Sequence, residues 1–162
     1  MKKIKLFQVV IIFSLLHSDA WSQDSLSHRN VGIYYFEEVV NKQRLDLLSN
    51  VFPNSYISHS LTDNTKELRT FAKQKDWLSY LFKAFPDLKY TIGDVLVDKD
   101  KVVMRVVLSG TQKGEFLGYK PSGRRIDYLS EIFFFRVENN KIAEAWVQID
   151  WHNLFKNLNP TK

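Results

Sequence analysis

The sequence predicts an α+β domain in which N-terminal helices pack on a curved antiparallel sheet. Two observations predict this class: apolar residues recur at helical spacing up to Pro86, and segments rich in β-branched and aromatic residues alternate with turns after it. Helices followed by a run of strands is the order found in α+β proteins. The 162 residues, of which 44% are hydrophobic and 25% charged, suit one globular domain.

The first helical region extends from Leu26 to about Leu48, where the apolar spacing predicts one helix or two short helices. Thr62 or Asn64 is a candidate N-cap for a second helix, which Pro86 ends. The apolar stripe of this second helix consists of Leu68, Phe71, Leu78, Phe82 and Phe85.

Four strands are predicted after Pro86, because their residues favour strands and turn-like polar stretches separate them. They are Tyr90–Val97, Val102–Thr111, Arg125–Val137 and Ile142–Trp151. Glycine and proline between Gln112 and Arg124 predict a long connection.

Three consecutive phenylalanines, Phe133 to Phe135, make both faces of the third strand apolar. One face is expected to meet the helices, and the other needs a different cover. A second subunit is the simplest candidate for this cover, and a C-terminal helix over Trp151–Leu158 is the alternative.

Residues 1–22 have the three-part pattern of a secretory signal peptide. Three lysines precede an almost wholly apolar run of eleven residues, Leu6–Leu16, and small residues at Ala20 and Ser22 predict cleavage after Ser22. Eleven residues are too few to span a hydrocarbon layer of ~30 Å, so a signal peptide is favoured over a membrane anchor. We expect residues 23–162 to be a single exported domain, periplasmic or secreted, with no membrane contact after cleavage.

Charge and cysteine content exclude several classes of protein. The formal net charge is +5, and beyond the N-terminal segment the basic residues are spread among acidic ones. Nucleic-acid-binding proteins concentrate basic residues on one face or segment, so we expect no nucleic-acid partner. The absence of cysteine removes disulfides, thiolate catalysis and zinc ribbons.

Acid–base chemistry by carboxylate and imidazole remains, because the sequence has no closely spaced histidine pair, nucleophile elbow or phosphate-binding loop. In the last strand Trp146, Gln148 and Asp150 share one face. A carboxylate among aromatic side chains has a raised pKa, which suits a general acid or base. The alternative is a solvated polar face with Asp150 at its end.

Arg105 and His59 are less specific signals. Arg105 interrupts an apolar strand, and it either reaches an edge of the sheet or forms a structural ion pair with a buried acid such as Glu131 or Asp150. His59 lies in a short polar and aromatic segment between the predicted helices. Its local sequence is typical of a packed or capping histidine.

Three segments resemble the SnoaL-like polyketide cyclases, also called ester cyclases. They are FPDL at Phe85–Leu88, GTQKGEFLGYKPSGRR at Gly110–Arg125 and FRVENNKIAEAWVQID at Phe135–Asp150. The resemblance covers nearly the whole chain after residue 22. It implies the nuclear transport factor 2-like (cystatin-like) cone, with a deep apolar pocket and a homodimer formed through the outer face of the sheet.

The resemblance also implies an activity. In these cyclases an aspartate near the end of the last strand is the general acid or base of an intramolecular aldol condensation, and a histidine early in the chain lines the same pocket. Asp150 and His59 match these two positions, so we predict them as catalytic residues. No metal or cofactor is needed for this chemistry. The residues predicted to bind substrate are Arg105, Glu131, Trp146 and Gln148.

Two hypotheses about function remain open at this point. The first is a cofactor-free cyclase, isomerase or hydrolase that acts on a small apolar carbonyl or ester compound. The second is a non-catalytic module of the same fold that binds a small apolar molecule. The enzyme hypothesis requires Asp150 and His59 to converge on one cavity.

Overall fold

A computed structural model describes residues 27–61 and 65–158, so the predicted signal peptide lies outside the described residues. Helix α1 comprises residues 27–34 and a π-helical continuation, Tyr35–Val40. A 3-10 turn, Leu45–Leu47, leads into α2 (Leu48–Val51), and the remaining helices are α3 (Phe71–Ala84) and α4 (Trp151–Leu158). The strands are β1 (Ser55–Ser60), β2 (Lys66–Thr70), β3 (Lys89–Asp98), β4 (Lys101–Thr111), β5 (Arg125–Glu138) and β6 (Lys141–Ile149). Within the described ranges, no helix is long and apolar enough to cross a membrane.

The six strands form one curved, open sheet in the order β2, β1, β6, β5, β4, β3. The four strands predicted from the sequence are confirmed as β3 to β6, within a few residues at each end. All neighbouring strands are antiparallel except β1 and β6, which run parallel with His59 opposite Trp146. The sheet is therefore mixed at β1, a strand that the sequence did not predict, and the predicted α+β class with helices packed on a curved sheet is confirmed.

The second predicted helix is shorter than expected. Thr62 and Asn64, its candidate caps, lie outside the described residues, and α3 begins at Phe71. Thr70 is the actual N-cap, and its hydroxyl oxygen accepts a hydrogen bond from the backbone N–H of Lys73 at 3.3 Å. Leu68, which the predicted stripe placed on the helix, lies in β2 with 62% of its surface exposed.

Aromatic side chains hold the helices on the concave face of the sheet. Phe36 of α1 is fully buried, and its ring contacts Tyr90 and Phe133 at centroid distances of 5.1 and 4.9 Å. Phe85, at the C-terminal end of α3, is 1% exposed and contacts Phe116 edge-on. Burial of one such side chain contributes about 1.5–3 kcal/mol, so these rings account for much of the helix–sheet attachment.

The three consecutive phenylalanines divide between the two faces of β5. Phe133 and Phe135 are buried in the core on the concave side, whereas Phe134 contacts Trp146 edge-on at 5.1 Å on the outer face. The helix predicted over Trp151–Leu158 is confirmed as α4. It packs at the concave side, where its Leu154 is buried, and therefore is not the cover of the outer face.

The predicted long connection between β4 and β5 is organised by one buried amide. Gln112 is 1% exposed, and its Oε1 accepts hydrogen bonds from the backbone N–H and the hydroxyl of Ser122. Its Nε2 lies within hydrogen-bonding distance of three carbonyl oxygens, those of Gly114, Tyr119 and Lys120. The connection is thus ordered although it contains neither helix nor long strand.

Gly114 lets this connection approach the end of α3. Its N–H donates to the carbonyl oxygen of Ala84 at 3.1 Å. A Cβ at this position would lie 2.6 Å from the carbonyl oxygen of Lys83 and 3.0 Å from the Cα of Ala84. Both are backbone atoms, so they cannot move aside without displacing the helix end.

We expect Gly114→Ala to lower the free energy of unfolding by about 1–3 kcal/mol, because the added methyl group would push the connection away from α3. Urea denaturation would measure the loss. Lys113→Ala is the matched control: Lys113 is exposed and keeps its own backbone hydrogen bond to Ala84, so stability should change by less than about 0.5 kcal/mol. Equal stability of the two variants would contradict the close approach.

Candidate active site

A cavity of about 350 Å³ lies between the concave face of the sheet and the helices. Cavities of roughly 300–1,000 Å³ are typical of small-molecule sites. Most of its wall is apolar, with side chains from every layer of the fold, among them Phe36, Phe52, Leu78, Leu129, Phe133 and Val147. The cavity therefore suits a compound with a largely apolar body.

Glu131 places a carboxyl group in this apolar wall. Side-chain alternation along β5 turns Glu131 to the concave side with Leu129 and Phe133, and only 3% of its surface is exposed. The Tyr90 hydroxyl donates a hydrogen bond to its Oε2 at 3.1 Å. Burial raises the pKa of Glu131 to about 8, although the bond from Tyr90 opposes this shift. The carboxyl group can therefore gain or lose a proton near neutral pH.

Two further tyrosines and a glutamine form a buried chain of hydrogen bonds beside the cavity. The Tyr56 hydroxyl donates to Oε1 of Gln74 at 2.7 Å, and Nε2 of Gln74 donates to the Tyr35 hydroxyl at 3.1 Å. Burial raises the pKa of Tyr56 to about 12 and that of Tyr35 well above its usual range, so both hydroxyls stay protonated. The bond from Gln74 uses the acceptor side of the Tyr35 hydroxyl and leaves its proton for another acceptor.

Strands β1 and β2 provide a polar wall. Tyr56 pairs with Arg69 across the two strands, and Ser58 pairs with Glu67, and all four residues line the cavity. Nη2 of Arg69 lies 3.5 Å from Oε2 of Glu67. The shorter contact of Glu67 is with Lys73, at 2.7 Å, and hydrogen bonding by Lys73 is the main cause of a lowered pKa of the Glu67 carboxyl.

Asp150 does not line the cavity. Strand β6 ends at Ile149, and Asp150 Oδ1 accepts a hydrogen bond from the backbone N–H of Asn153 at 3.0 Å, in the manner of an N-cap of α4. Its side chain is exposed. The catalytic role inferred for Asp150 stays a prediction, and this geometry ties its carboxylate to the helix.

His59 borders the cavity, but its ring belongs to a cluster on the outer face of the sheet. The ring stacks on Trp146 at a centroid distance of 4.1 Å, and Nε2 lies 2.7 Å from Oε2 of Glu144. Arg136 donates from Nε to the other oxygen of the same carboxylate. Ala145 and Val147 line the cavity, so alternation along β6 turns Trp146 outward. The convergence of His59 and Asp150 on one cavity, which the enzyme hypothesis required, is therefore absent from the described residues.

Among the four residues predicted to bind substrate, only Glu131 lines the cavity. Arg105 is exposed on the outer face, where its Nε donates to Asp94 at 2.7 Å and not to Glu131 or Asp150. Gln148 is exposed beside Trp146 on that same face. The binding role of Arg105, Trp146 and Gln148 stays a prediction, and the structure places all three side chains outside this cavity.

Four residues of the cavity were not predicted from the sequence: Tyr56, Arg69, Gln74 and Tyr90. A signal was present for Gln74, which lies on the buried side of α3 with Leu78, where a polar residue is unusual. Arg69 and Tyr56 gave no such signal, since their strands were not identified. In the part of the chain that the structure describes, no three His, Asp or Glu side chains are grouped so that they could hold a metal ion.

Glu131 is expected to make stability depend on pH. Its pKa is about 8 in the folded protein against an ordinary 4.5, so the folded state keeps a proton that the unfolded chain loses. The stabilising contribution of this bound proton is fully present below the unfolded pKa of 4.5 and is lost as the pH rises towards the folded pKa of about 8. Relative to Glu131→Gln, the wild type should lose on the order of a few kcal/mol of unfolding free energy between about pH 5 and pH 8.

Urea denaturation at several pH values would measure this difference. Glu138→Gln is the control, because Glu138 is exposed at the end of the same strand. Parallel stability profiles for the wild type and Glu131→Gln would contradict the raised pKa.

Solved structures of similar fold come from several bacteria. A proposed SnoaL-like polyketide cyclase from Jannaschia sp. CCS1 has a TM-score of 0.76 and 20% identity, covering 86% of this chain and 96% of that chain. TsrD from Streptomyces laurentii has a TM-score of 0.73 and 25% identity, covering 85% and 98%. AclR, a proposed hydroxylase from Streptomyces galilaeus, has a TM-score of 0.72 and 21% identity, covering 85% and 83%. These likenesses show the nuclear transport factor 2-like fold.

Sequence comparison identifies the family. No curated protein is significantly similar to this chain. The family model of the SnoaL-like polyketide cyclases, however, matches residues 33–158, which run from α1 to the end of α4. Since this match spans most of the chain and agrees with the fold and its apolar cavity, the chain belongs to the SnoaL-like polyketide cyclase family.

Proposed function

We propose that this protein is a cofactor-free acid–base enzyme of the cyclase, isomerase or hydrolase kind, and that Glu131 is its acid–base group. Its substrate is a small carbonyl or ester compound with an apolar body. The observation that carries the proposal is a fully buried carboxyl group in the wall of an apolar cavity, with a pKa of about 8. A general base or acid works best when its pKa lies near the working pH.

The chemistry begins with ionised Glu131 taking a proton from a carbon next to a carbonyl group. The electron pair of the broken C–H bond becomes an enolate, whose oxygen is stabilised by a hydroxyl donor such as Tyr35. In a cyclisation the enolate carbon attacks a second carbonyl of the same molecule, and the new alkoxide takes the proton back from Glu131. In an isomerisation the proton returns to a different carbon. Neither route needs an oxidant or a reductant.

Glu131 replaces Asp150 as the acid–base group in this proposal for a geometric reason. A general base must come within about 2.6–3.2 Å of the proton that it abstracts. Glu131 lines the cavity, whereas the carboxylate of Asp150 is exposed and bonded to the first turn of α4. The ring of His59 likewise faces Trp146 and Glu144, so Tyr35 is the better donor.

A binding module without catalysis is the second candidate. Tyr56, Gln74 and Tyr35 are hydrogen-bonded to one another, which is how a purely structural polar cluster would be arranged. In that case Glu131 would be a polar contact for the ligand.

Exchange of hydrogen for deuterium tests the proposal without knowledge of the natural substrate. The protein is incubated in deuterated water with a panel of aryl ketones and aryl acetate esters, and mass spectrometry measures deuterium at the carbon next to the carbonyl. We expect exchange that rises with pH to a plateau above about pH 8, since the base is the ionised form. Glu131→Gln should slow the exchange by about 10²–10⁴-fold.

Two further variants make the assignment specific. Glu138→Gln, the exposed change on the same strand, should retain exchange. Asp150→Asn tests the catalytic role predicted from the sequence. Loss of exchange in Asp150→Asn but not in Glu131→Gln would show that Asp150, and not Glu131, is the acid–base group. Binding of the panel compounds without any exchange would favour the binding module.

We also propose that the protein is exported, on the basis of the pattern in residues 1–22, and that it forms a homodimer through the outer face of the sheet. Exposed apolar side chains support the dimer. They project from that face at Leu68 (62% exposed), Leu96 (68%), Tyr128 (59%) and Ile132 (45%). Leu68 and Leu96 lie on the two edge strands and Tyr128 and Ile132 on β5, so an interface across the whole outer face would cover all four.

Ile132→Glu should shift the mature protein from dimer to monomer, because the new carboxylate, even when paired with Arg105 opposite it in β4, would have to lose its hydration at the interface. Size-exclusion chromatography with light scattering measures the mass. Leu117→Glu, a change of the same kind in the connection between β4 and β5, should leave the dimer intact. A wild type that is monomeric at high concentration would contradict the proposed assembly.

A further inference from the structure

Arg69 brings a cation to a cavity that is otherwise largely apolar. It lies in β2 opposite Tyr56, and both side chains line the cavity. Arginine rarely faces an apolar volume unless a partner of opposite charge accompanies it. The partners of Arg69 therefore decide what this position is for.

Two groups accompany the Arg69 guanidinium, the Tyr56 hydroxyl and the Glu67 carboxylate, and they satisfy it only in part. Glu67 lies 3.5 Å from Nη2, which is long for a charge-assisted hydrogen bond, and the same carboxylate makes a 2.7 Å contact with Lys73. Nε of Arg69 is buried and, among residues 27–61 and 65–158, has no hydrogen-bond partner. A buried donor without a partner is unusual in a folded protein and requires an explanation.

A ligand with an acceptor oxygen beside the guanidinium would give Arg69 a further partner. The guanidinium group presents its N–H donors in a planar fork, which matches the two oxygens of a carboxylate. Arg69 is one positive charge and already lies near the Glu67 carboxylate, so it is suited to an anion with a single negative charge. Arg69 and Glu131 both line the cavity, so one ligand can contact both groups.

We propose that the cavity takes a small organic acid, whose carboxylate binds Arg69 and whose apolar body extends towards Glu131. This proposal rests on the proposed function, because it assigns a substrate class to the same cavity. The carboxylate is the anchor, and the carbon that loses its proton belongs to the body of the molecule. Neutral Glu131 would not repel such an anion, and its pKa of about 8 keeps it mostly neutral at pH 7.

Binding of three matched probes tests the proposal: naphthoate, its primary amide and its methyl ester, which share one apolar body and differ in charge. Isothermal titration at pH 7 measures the affinities for the full-length mature protein. We expect naphthoate to bind about ten- to a hundredfold more tightly than the amide or the ester. Arg69→Gln should abolish this preference while the affinities for the neutral probes change little.

Two further variants separate charge from shape and from catalysis. Arg69→Lys should retain part of the preference, because the charge remains and the planar fork is lost. Arg44→Gln is the matched control, since Arg44 is an exposed arginine that pairs with Asp46 outside the cavity. Its preference for naphthoate should equal that of the wild type.

Equal affinity of the wild type for naphthoate and the amide would overturn the proposal. Failure of the wild type to bind naphthoate, or a preference that survives in Arg69→Gln, would overturn it as well. The proposed function fails independently of this result: it is wrong if no carbonyl compound undergoes exchange, even where the carboxylate preference is present. Conversely, exchange that depends on Glu131 without any preference for the carboxylate would support the proposed enzyme activity. It would show that the substrate is not an organic acid bound by Arg69.

Discussion

The alternation of side chains along β5 determines which groups share the cavity. Successive residues of a strand point to opposite faces, so Glu131 enters the apolar volume together with Leu129 and Phe133. A slip of one residue would bring Ile132 and Phe134 inside and expose the carboxyl group to solvent. The irregularities in the pairing of β5 lie on either side of this stretch, opposite Leu108–Gly110 of β4 and at Arg136–Val137, so the register is unbroken where Glu131 lies.

Charge is distributed unequally between the two faces of the sheet. The outer face has ion pairs in partial contact with solvent, such as Arg136 with Glu144. Water still hydrates these charges, so they need few further hydrogen bonds from the protein. On the concave side a charged carboxylate at Glu131 would lose most of its hydration, and Tyr90 returns only one hydrogen bond. The buried carboxyl group can be stabilised in two ways, by taking up a proton or by a hydrogen bond from a ligand. This separation explains why the same residue types are structural on the outer face, whereas the proposed function makes them reactive on the concave face.

The sequence could predict the elements that depend on local pattern. The strands from Tyr90 onward and the helix at Trp151–Leu158 were found because β-branched, aromatic and amphipathic residues follow the period of each element. The strands β1 and β2 could not be found in this way, since SYISHS and KELRT contain few apolar residues and depend on pairing with the distant β6.

The site was less predictable than the fold for a related reason. Parity showed that Trp146 and Gln148 share a face, but only the packing of the helices decides which face is inside. Glu131 was predicted as a substrate contact and not as a candidate acid–base group, because nothing in its neighbours along the chain indicates complete burial. Asp150 attracted the catalytic role through the family resemblance, whereas the structure ends β6 one residue before it.

The parallel pairing of β1 with β6 has a consequence for the order of folding. Ile57 pairs with Glu144, so the sheet cannot be completed until nearly the whole chain has left the ribosome. Contacts between residues so far apart in sequence make folding slow, because a large loop must close before they form. The polar wall formed by β1 and β2 joins the sheet through this pairing alone. Arg69 therefore reaches the cavity only in the late step that completes the sheet. A chain truncated before β6 would have an apolar half-sheet without the polar wall of the cavity.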